Sequence, residues 1–349
     1  MQKPNVVVVG YGFAGRCFHA YLVGLTTGLN LYGIVSSRSE TRAEIERDLG
    51  IKTFADFNDA LADSAVDLMV LATPNDLHAS HAIQAMEAGK HVVTDKPMCL
   101  SLSEADQMIA ASQQHDRLLS VFQNRRWDGD FLAVKEIIAA GLLGDPFLIE
   151  MFWGQHGKPR GWRSEAEHGG GKFLDLGAHM VDQALQLVDA PLEQVYATFH
   201  SGDPLGLDVE AHALAVLRFQ NGIEARVETS SLARKPKPRW YVLGTEAALV
   251  KEGLDPQEKA MIAGAIDDAE EIPEHFARLY RPAAGRTAET VIETAPGRWR
   301  SYYENIADAL SGHAELAVSA VNVRETMVAI AAAQRSAAEQ RPVAPGEIG

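Results

Sequence analysis

Lys96, Asp175 and His179 have types and settings suited to proton and oxygen chemistry. Lys96 stands in Asp95-Lys96-Pro97, and Asp175 and His179 lie four residues apart in the run GGGKFLDLGAH that begins at Gly169. On an α-helix that spacing puts both side chains on one face, one turn apart. Imidazole titrates near neutral pH, which suits His179 to general-base work. A lysine can stabilise developing alkoxide charge, or shuttle a proton if burial lowers its pKa. Hydride transfer from an alcohol needs a group that takes the hydroxyl proton, a group that orients the oxygen, and a nicotinamide alongside. These three residues could supply the first two if the regions carrying them close over a cofactor. Spacing alone is equally compatible with a solvated turn lysine and a surface Asp/His pair.

The elements that would position Lys96 have a dinucleotide-binding pattern. Asn5–Val9 is a β-branched run of the kind found in parallel strands buried on both faces. It enters Gly10-Tyr11-Gly12-Phe13-Ala14-Gly15, which fits GxGxxG. The first glycine permits the tight turn, the second lets backbone approach a pyrophosphate, and the third lets the next helix pack closely. A helix over Arg16–Leu25 would present its N-terminus to that pyrophosphate. A second strand, Leu31–Val35, leads to Ser36-Ser37-Arg38, where an NAD-binding chain would carry an acid for the ribose 2′-hydroxyl. Two hydroxyls and a guanidinium suit a 2′-phosphate instead, so NADP is expected, with NAD as the alternative. Further strands at Val66–Ala72, His91–Thr94 and Leu118–Phe122 alternate with helices. They end in Thr73-Pro74-Asn75 after the first of these, and in Asp95-Lys96-Pro97 after the second. Ser101-Leu102-Ser103-Glu104 fits a capping box. The pattern predicts a doubly wound parallel sheet whose ligand sits beyond the strand C-termini, where all these loops fall.

After Phe122 the periodicity changes. Strand-like segments at Phe147–Trp153, Gln194–Phe199, Ala211–Phe219, Glu224–Ser231 and Trp240–Gly244 are separated mainly by turn signals. This predicts an α+β domain with an open, mostly antiparallel sheet over residues 123–349, following a Rossmann domain at 1–122. Val321–Glu339 is an alanine-rich helix. Trp153, Trp162-Arg163 and Arg125-Arg126-Trp127 could line a sugar pocket by ring stacking, or serve only core and rim packing. The run Arg234–Arg239 (RKPKPR) is expected to be a loop near a sheet edge.

Composition narrows the class. With 349 residues, 46% of them hydrophobic, the chain can bury two cores, and its net charge of −15 argues against nucleic acid or anionic membrane as a partner. Cys17 and Cys99 form no metal-ligand spacing, so neither a metal site nor a disulfide framework is expected. No secretory signal pattern or membrane-length apolar run is present, and a cytoplasmic location is the expectation.

Together GYGFAG, TPNDLHASHAIQAMEAGKHVVTDKP and GGGKFLDLGAHMVDQ resemble the Gfo/Idh/MocA oxidoreductase family over nearly the whole chain. Asp95 stands where that family usually has Glu. SVFQNRRWDGDFLAVK and VLGTEAALVKEGLDPQEKAM are similar to its NADP-dependent scyllo-inositol dehydrogenase subgroup. The resemblance implies that Lys96, Asp175 and His179 form the catalytic set: Lys96 orients the substrate hydroxyl, His179 acts as acid or base, and Asp175 holds the substrate and tunes His179. It also implies a homodimer or homotetramer through the second domain's sheet. The expected cofactor set is Gly10–Gly15, Ser36, Ser37, Arg38, Thr73, Pro74, Asn75, His78, Asp95, Lys96, Gln123, Trp162 and Arg163. Substrate would meet Lys96, Arg126, Trp153, Asp175 and His179. An uncharged polyol or sugar is the expected substrate. Reduction of an unrelated carbonyl compound and a non-catalytic NADP sensor are the alternatives.

Overall fold

A computed structural model describes residues 3–159 and 161–348; for Trp162, His168 and Pro204 only the backbone is described. The chain forms two compact units. The first comprises Met1–Asn124, Ala260–Ile266 and Trp299–Arg324, and the second Arg125–Lys259, Asp267–Arg298 and Glu325–Gly349.

The first unit is built on six strands: β1 Asn5–Val9, β2 Asn30–Val35, β3 Lys52–Phe54, β4 Leu68–Leu71, β5 His91–Thr94 and β6 Leu119–Val121. Their order is β3-β2-β1-β4-β5-β6, and every pair is parallel. Val6–Val8 and Leu68–Leu71 are wholly buried, as strands covered on both faces must be. The order reverses between β1 and β4, where such sheets leave a crevice at the strand C-termini. β3 was not anticipated: three residues at a sheet edge are too few to show a hydrophobic period. Ser101 does cap the helix Leu102–His115, with Glu104 returning the bond to the Ser101 backbone.

The second unit carries an eight-stranded sheet: β7 Pro146–Gly154, β8 Leu192–Ser201, β9 Glu210–Phe219, β10 Glu224–Ser230, β11 Trp240–Gly244, β12 Ala248–Lys251, β13 Ala277–Ala283 and β14 Arg286–Ile292. Its order is β14-β13-β12-β11-β7-β10-β9-β8, antiparallel except where β10 meets β7. Burial alternates along β9 and β10, so one face belongs to a core that includes Phe131, Phe173, Phe219 and Trp240. β12, β13 and β14 were not foreseen. β14 (RTAETVI) is mostly exposed and mixes polar and apolar residues without alternation.

The Arg234–Arg239 run is a loop, as expected, but it does not lie at an edge of the sheet. It leads into β11, which lies inside the sheet, and Arg239 is buried. The Arg239 guanidinium reaches the buried Asp130 (Nε to Oδ2, 3.1 Å) and the Gln183 side-chain oxygen (2.8 Å), and those partners draw the end of a basic run inward. Among the described residues no helix is long and apolar enough to cross a membrane, and no cluster of His, Cys, Asp and Glu could hold a metal ion.

Candidate active site

Hydrogen bonds across the first unit's sheet gather the glycine turn and the loops after β2, β4 and β5. Gly10 N donates to Val35 O at the end of β2 (3.0 Å), and Asp95 N donates to Leu71 O at the end of β4 (2.9 Å). Gly10 has φ +95°, and a Cβ there would lie 2.6 Å from Ala72 O, so the turn requires glycine on both counts. At Gly15 a Cβ would run into Gly10 O, whereas at Gly12 it would meet nothing within 4 Å. Backbone at Gly12 is therefore open to close approach, as a pyrophosphate requires. Thr73 Oγ1, Asn75 Nδ2 and Thr94 Oγ1 are buried without a hydrogen-bond partner among the described residues. An open glycine turn and unsatisfied polar atoms at the same strand ends fit a dinucleotide. Tyr11 is half-buried and Phe13 exposed.

Ser36 N is tied to Phe54 O (3.0 Å), and Ser36 O accepts from Arg42 Nη1 (2.7 Å). Ser37 and Arg38 are exposed, and Arg38 is the N-cap residue of the helix Ser39–Leu49 without a capping side-chain bond. This leaves their side chains on the surface beside the end of β2, at the ribose end of such a site.

Lys96 is half-buried, and its backbone N donates to Asp95 Oδ1 (2.7 Å). The other Asp95 oxygen faces His19 Nε2 at 3.4 Å, an ion-pair distance, and His19 Nδ1 is 2.7 Å from the Tyr303 hydroxyl. His19 is fully buried in the π-helical turn Ala14–Ala20, directly after the glycine turn. Widened turns of this kind recur at functional sites. Whether His19 Nδ1 or the Tyr303 hydroxyl donates in that bond depends on the protonation of the ring. Burial alone would raise the Asp95 pKa, but His19, with help from Lys96 and His78, brings it down to about 2. His78 lies between Pro97 O (Nδ1, 2.9 Å) and Thr73 O (Nε2, 3.1 Å), bridging the loops after β4 and β5. Burial is the largest effect on its pKa and lowers it, while Asp95 and the two carbonyls oppose that shift. His19 had no motif of its own; only the fold sets it against Asp95.

In the second unit Asp175 lies in the π-helical turn Phe173–Gly177, which runs into the α-helix Ala178–Leu187 carrying His179. A uniform α-helix was expected. Gly177 leaves room for the Phe173 ring, which a Cβ would approach to 2.7 Å, and that ring packs against Phe199. Asp175 Oδ2 pairs with Arg163 Nε at 3.2 Å, and His179 is buried. The run of glycines before the helix is folded back by bonds from Gly170 N to Glu165 O and from Gly171 N to Arg163 O. Lys172, three residues before Asp175, is buried with Nζ donating to Ser230 O (3.1 Å), and burial lowers its pKa against the pull of Asp175.

The remaining expected residues are placed as follows. Gln123 is buried at the end of the first unit, its N near Val121 O (2.7 Å). Arg126 forms a part-buried fork with Asp182 (Nε 2.8 Å, Nη2 2.7 Å). Trp153 has the Arg125 guanidinium 4.4 Å and the Arg239 guanidinium 5.3 Å from its ring centroid. The side chain of Trp162 lies outside the described residues.

Known proteins match this architecture. The description "Oxidoreductase family, NAD-binding Rossmann fold" matches residues 4–123, and "GFO/IDH/MocA C-terminal domain" matches 131–250. The uncharacterized oxidoreductase YdgJ of Escherichia coli (strain K12) is 33% identical over 93% of each chain. The NADP-dependent scyllo-inositol 2-dehydrogenase IolW of Bacillus subtilis (strain 168) is 29% identical over 97% of this chain and 95% of its own. The Bacillus subtilis yvaA structure superposes with a TM-score of 0.90 at 28% identity, covering 97% of each chain. With a parallel sheet, an open glycine turn at its crossover and relatives spanning nearly its full length, the chain belongs to the Gfo/Idh/MocA family of oxidoreductases, with an NAD-binding Rossmann domain.

Proposed function

We propose that the protein is an NADP-preferring dehydrogenase that interconverts a secondary hydroxyl and a ketone on a cyclitol or sugar. The observation that carries this reading is the open Gly12 turn at the sheet crossover, with Ser37 and Arg38 exposed beside the end of β2 and no acid in that loop. A guanidinium and two hydroxyls favour a 2′-phosphate. The similarity to an NADP-dependent inositol dehydrogenase over the whole chain points the same way.

When bound, the cofactor supplies the hydride acceptor or donor. Lys96 orients the substrate oxygen and stabilises negative charge on it, on a loop whose backbone Asp95 holds. His179 takes or returns the hydroxyl proton. Asp175 accepts a substrate hydroxyl and orients His179, with one oxygen fixed by Arg163. Assembly into a homodimer or homotetramer through the partly exposed face of the eight-stranded sheet belongs to the same reading.

The test is absorbance at the reduced-nicotinamide band, with NADP or NAD and a panel of inositols, aldoses and sugar lactones. Turnover of an inositol or sugar with NADP, lowered about 10²–10⁴-fold by Lys96→Ala and His179→Ala with cofactor affinity kept, is the expected result. Silence across the panel with cofactor binding intact would instead favour another carbonyl substrate or a sensor.

A further inference from the structure

We infer that Glu210 is a positioning residue for the segment that carries Asp175 and His179. Glu210 begins β9, and its Oε1 accepts from Phe173 N at 2.7 Å. Phe173 opens the π-helical turn that holds Asp175, and the helix continues through His179 to Leu187. The first N–H groups of a helix have no partner within it, and a carboxylate there satisfies one of them and complements the positive end of the helix dipole. Glu210 does this from a distant strand, so it ties the start of the helix to the sheet.

The glycine run has its reason in the same contact. A Cβ on Gly171 would lie 2.5 and 2.6 Å from the two Glu210 carboxylate oxygens, and Gly171 has φ +103°, where side chains are strained. Only glycine lets the carboxylate sit over the helix entry. Burial raises the Glu210 pKa while the Phe173 N–H opposes it, as expected of a carboxylate held there for its bond. Glu210 also lines an open cleft of about 560 Å³ with Gly170, Phe173, Phe199, Ser201 and Asp208, so a small solute can reach it.

The functional consequence rests on the assignment of Asp175 and His179 above, and the test separates the two. Amide hydrogen exchange over residues 173–179 reads the positioning without any activity. Glu210→Ala should speed that exchange about five- to thirtyfold, the range for losing one cap. Glu210→Gln, which keeps an acceptor oxygen, should stay within about threefold of wild type on the same scale. Turnover should follow: kcat falls roughly tenfold in Glu210→Ala with cofactor Kd unchanged, is largely kept in Glu210→Gln, and recovers in Glu210→Ala as formate is added. If Glu210→Ala does not fold, Glu210→Asp, which withdraws the acceptor by one methylene, carries the comparison. Unchanged exchange in Glu210→Ala, or Glu210→Gln as fast as Glu210→Ala, overturns the positioning role. Faster exchange with unaltered kcat upholds the cap and overturns its link to catalysis. A wild type inactive on every polyol would count against the functional reading alone.

Discussion

Asp95 and His19 face each other inside the first unit, Oδ2 to Nε2 at 3.4 Å, while the other Asp95 oxygen holds the Lys96 backbone. Asp is one methylene shorter than the Glu usual in the family, and it still meets both partners. The Asp95 carboxyl is held down at about 2, against an ordinary value of 3.8. A depressed carboxylate contributes stability that is present above its unfolded pKa and is lost as pH falls through its folded pKa. Wild type should therefore exceed Asp95→Asn by about 2 kcal/mol above pH ~4. The gap should close as pH falls toward ~2. Urea midpoints of both proteins across this range measure it, and a gap that stays constant to the acid end would remove the claim.

Arg38 should discriminate the cofactors. Arg38→Ala should weaken NADP by about 1.5–3 kcal/mol, roughly ten- to hundredfold in Kd, with NAD little changed. Fluorescence titration with each reduced cofactor gives both numbers. Equal losses for the two would end the 2′-phosphate assignment.

The two cysteines should react differently. Cys99 is buried and its thiol is pushed up to about 12, chiefly by burial, whereas Cys17 is partly exposed. Only thiolate is alkylated readily. Native protein treated with iodoacetamide near pH 8 should be labelled at Cys17 and spared at Cys99 by peptide mass, and rapid labelling of Cys99 would show that its burial is wrong.

Asp130 is a structural hub of the second unit. It is buried, accepts from Trp240 Nε1 (2.7 Å) and pairs with Arg239 (3.1 Å). Asp130→Ala strands the buried guanidinium and should destabilise the unit by about 3–5 kcal/mol. A loss under ~1 kcal/mol in urea unfolding would mean that water or Gln183 compensates the charge.

Local chemistry alone made much of this protein legible. A β-branched strand entering GxGxxG, strands ending in TPN and DKP, the Ser101–Glu104 capping box and the Asp175/His179 spacing all depend on neighbours a few residues apart, so the sequence shows them directly. The open antiparallel sheet was visible for the same reason wherever its strands alternate. Partners distant along the chain were decided by tertiary structure. His19 lies 284 residues from Tyr303 and Glu210 lies 37 from Phe173, and no periodicity encodes such meetings. The π-helical turn at Asp175 likewise depends on where the Phe173 ring finds room. Arg126 and Trp153 have the same residue types whatever they meet, and so has Arg239 at the end of the basic run. Their surroundings supplied Asp182 to Arg126, two guanidinium groups to the Trp153 ring and Asp130 to Arg239, because a charge leaves water only where the fold brings a partner to it.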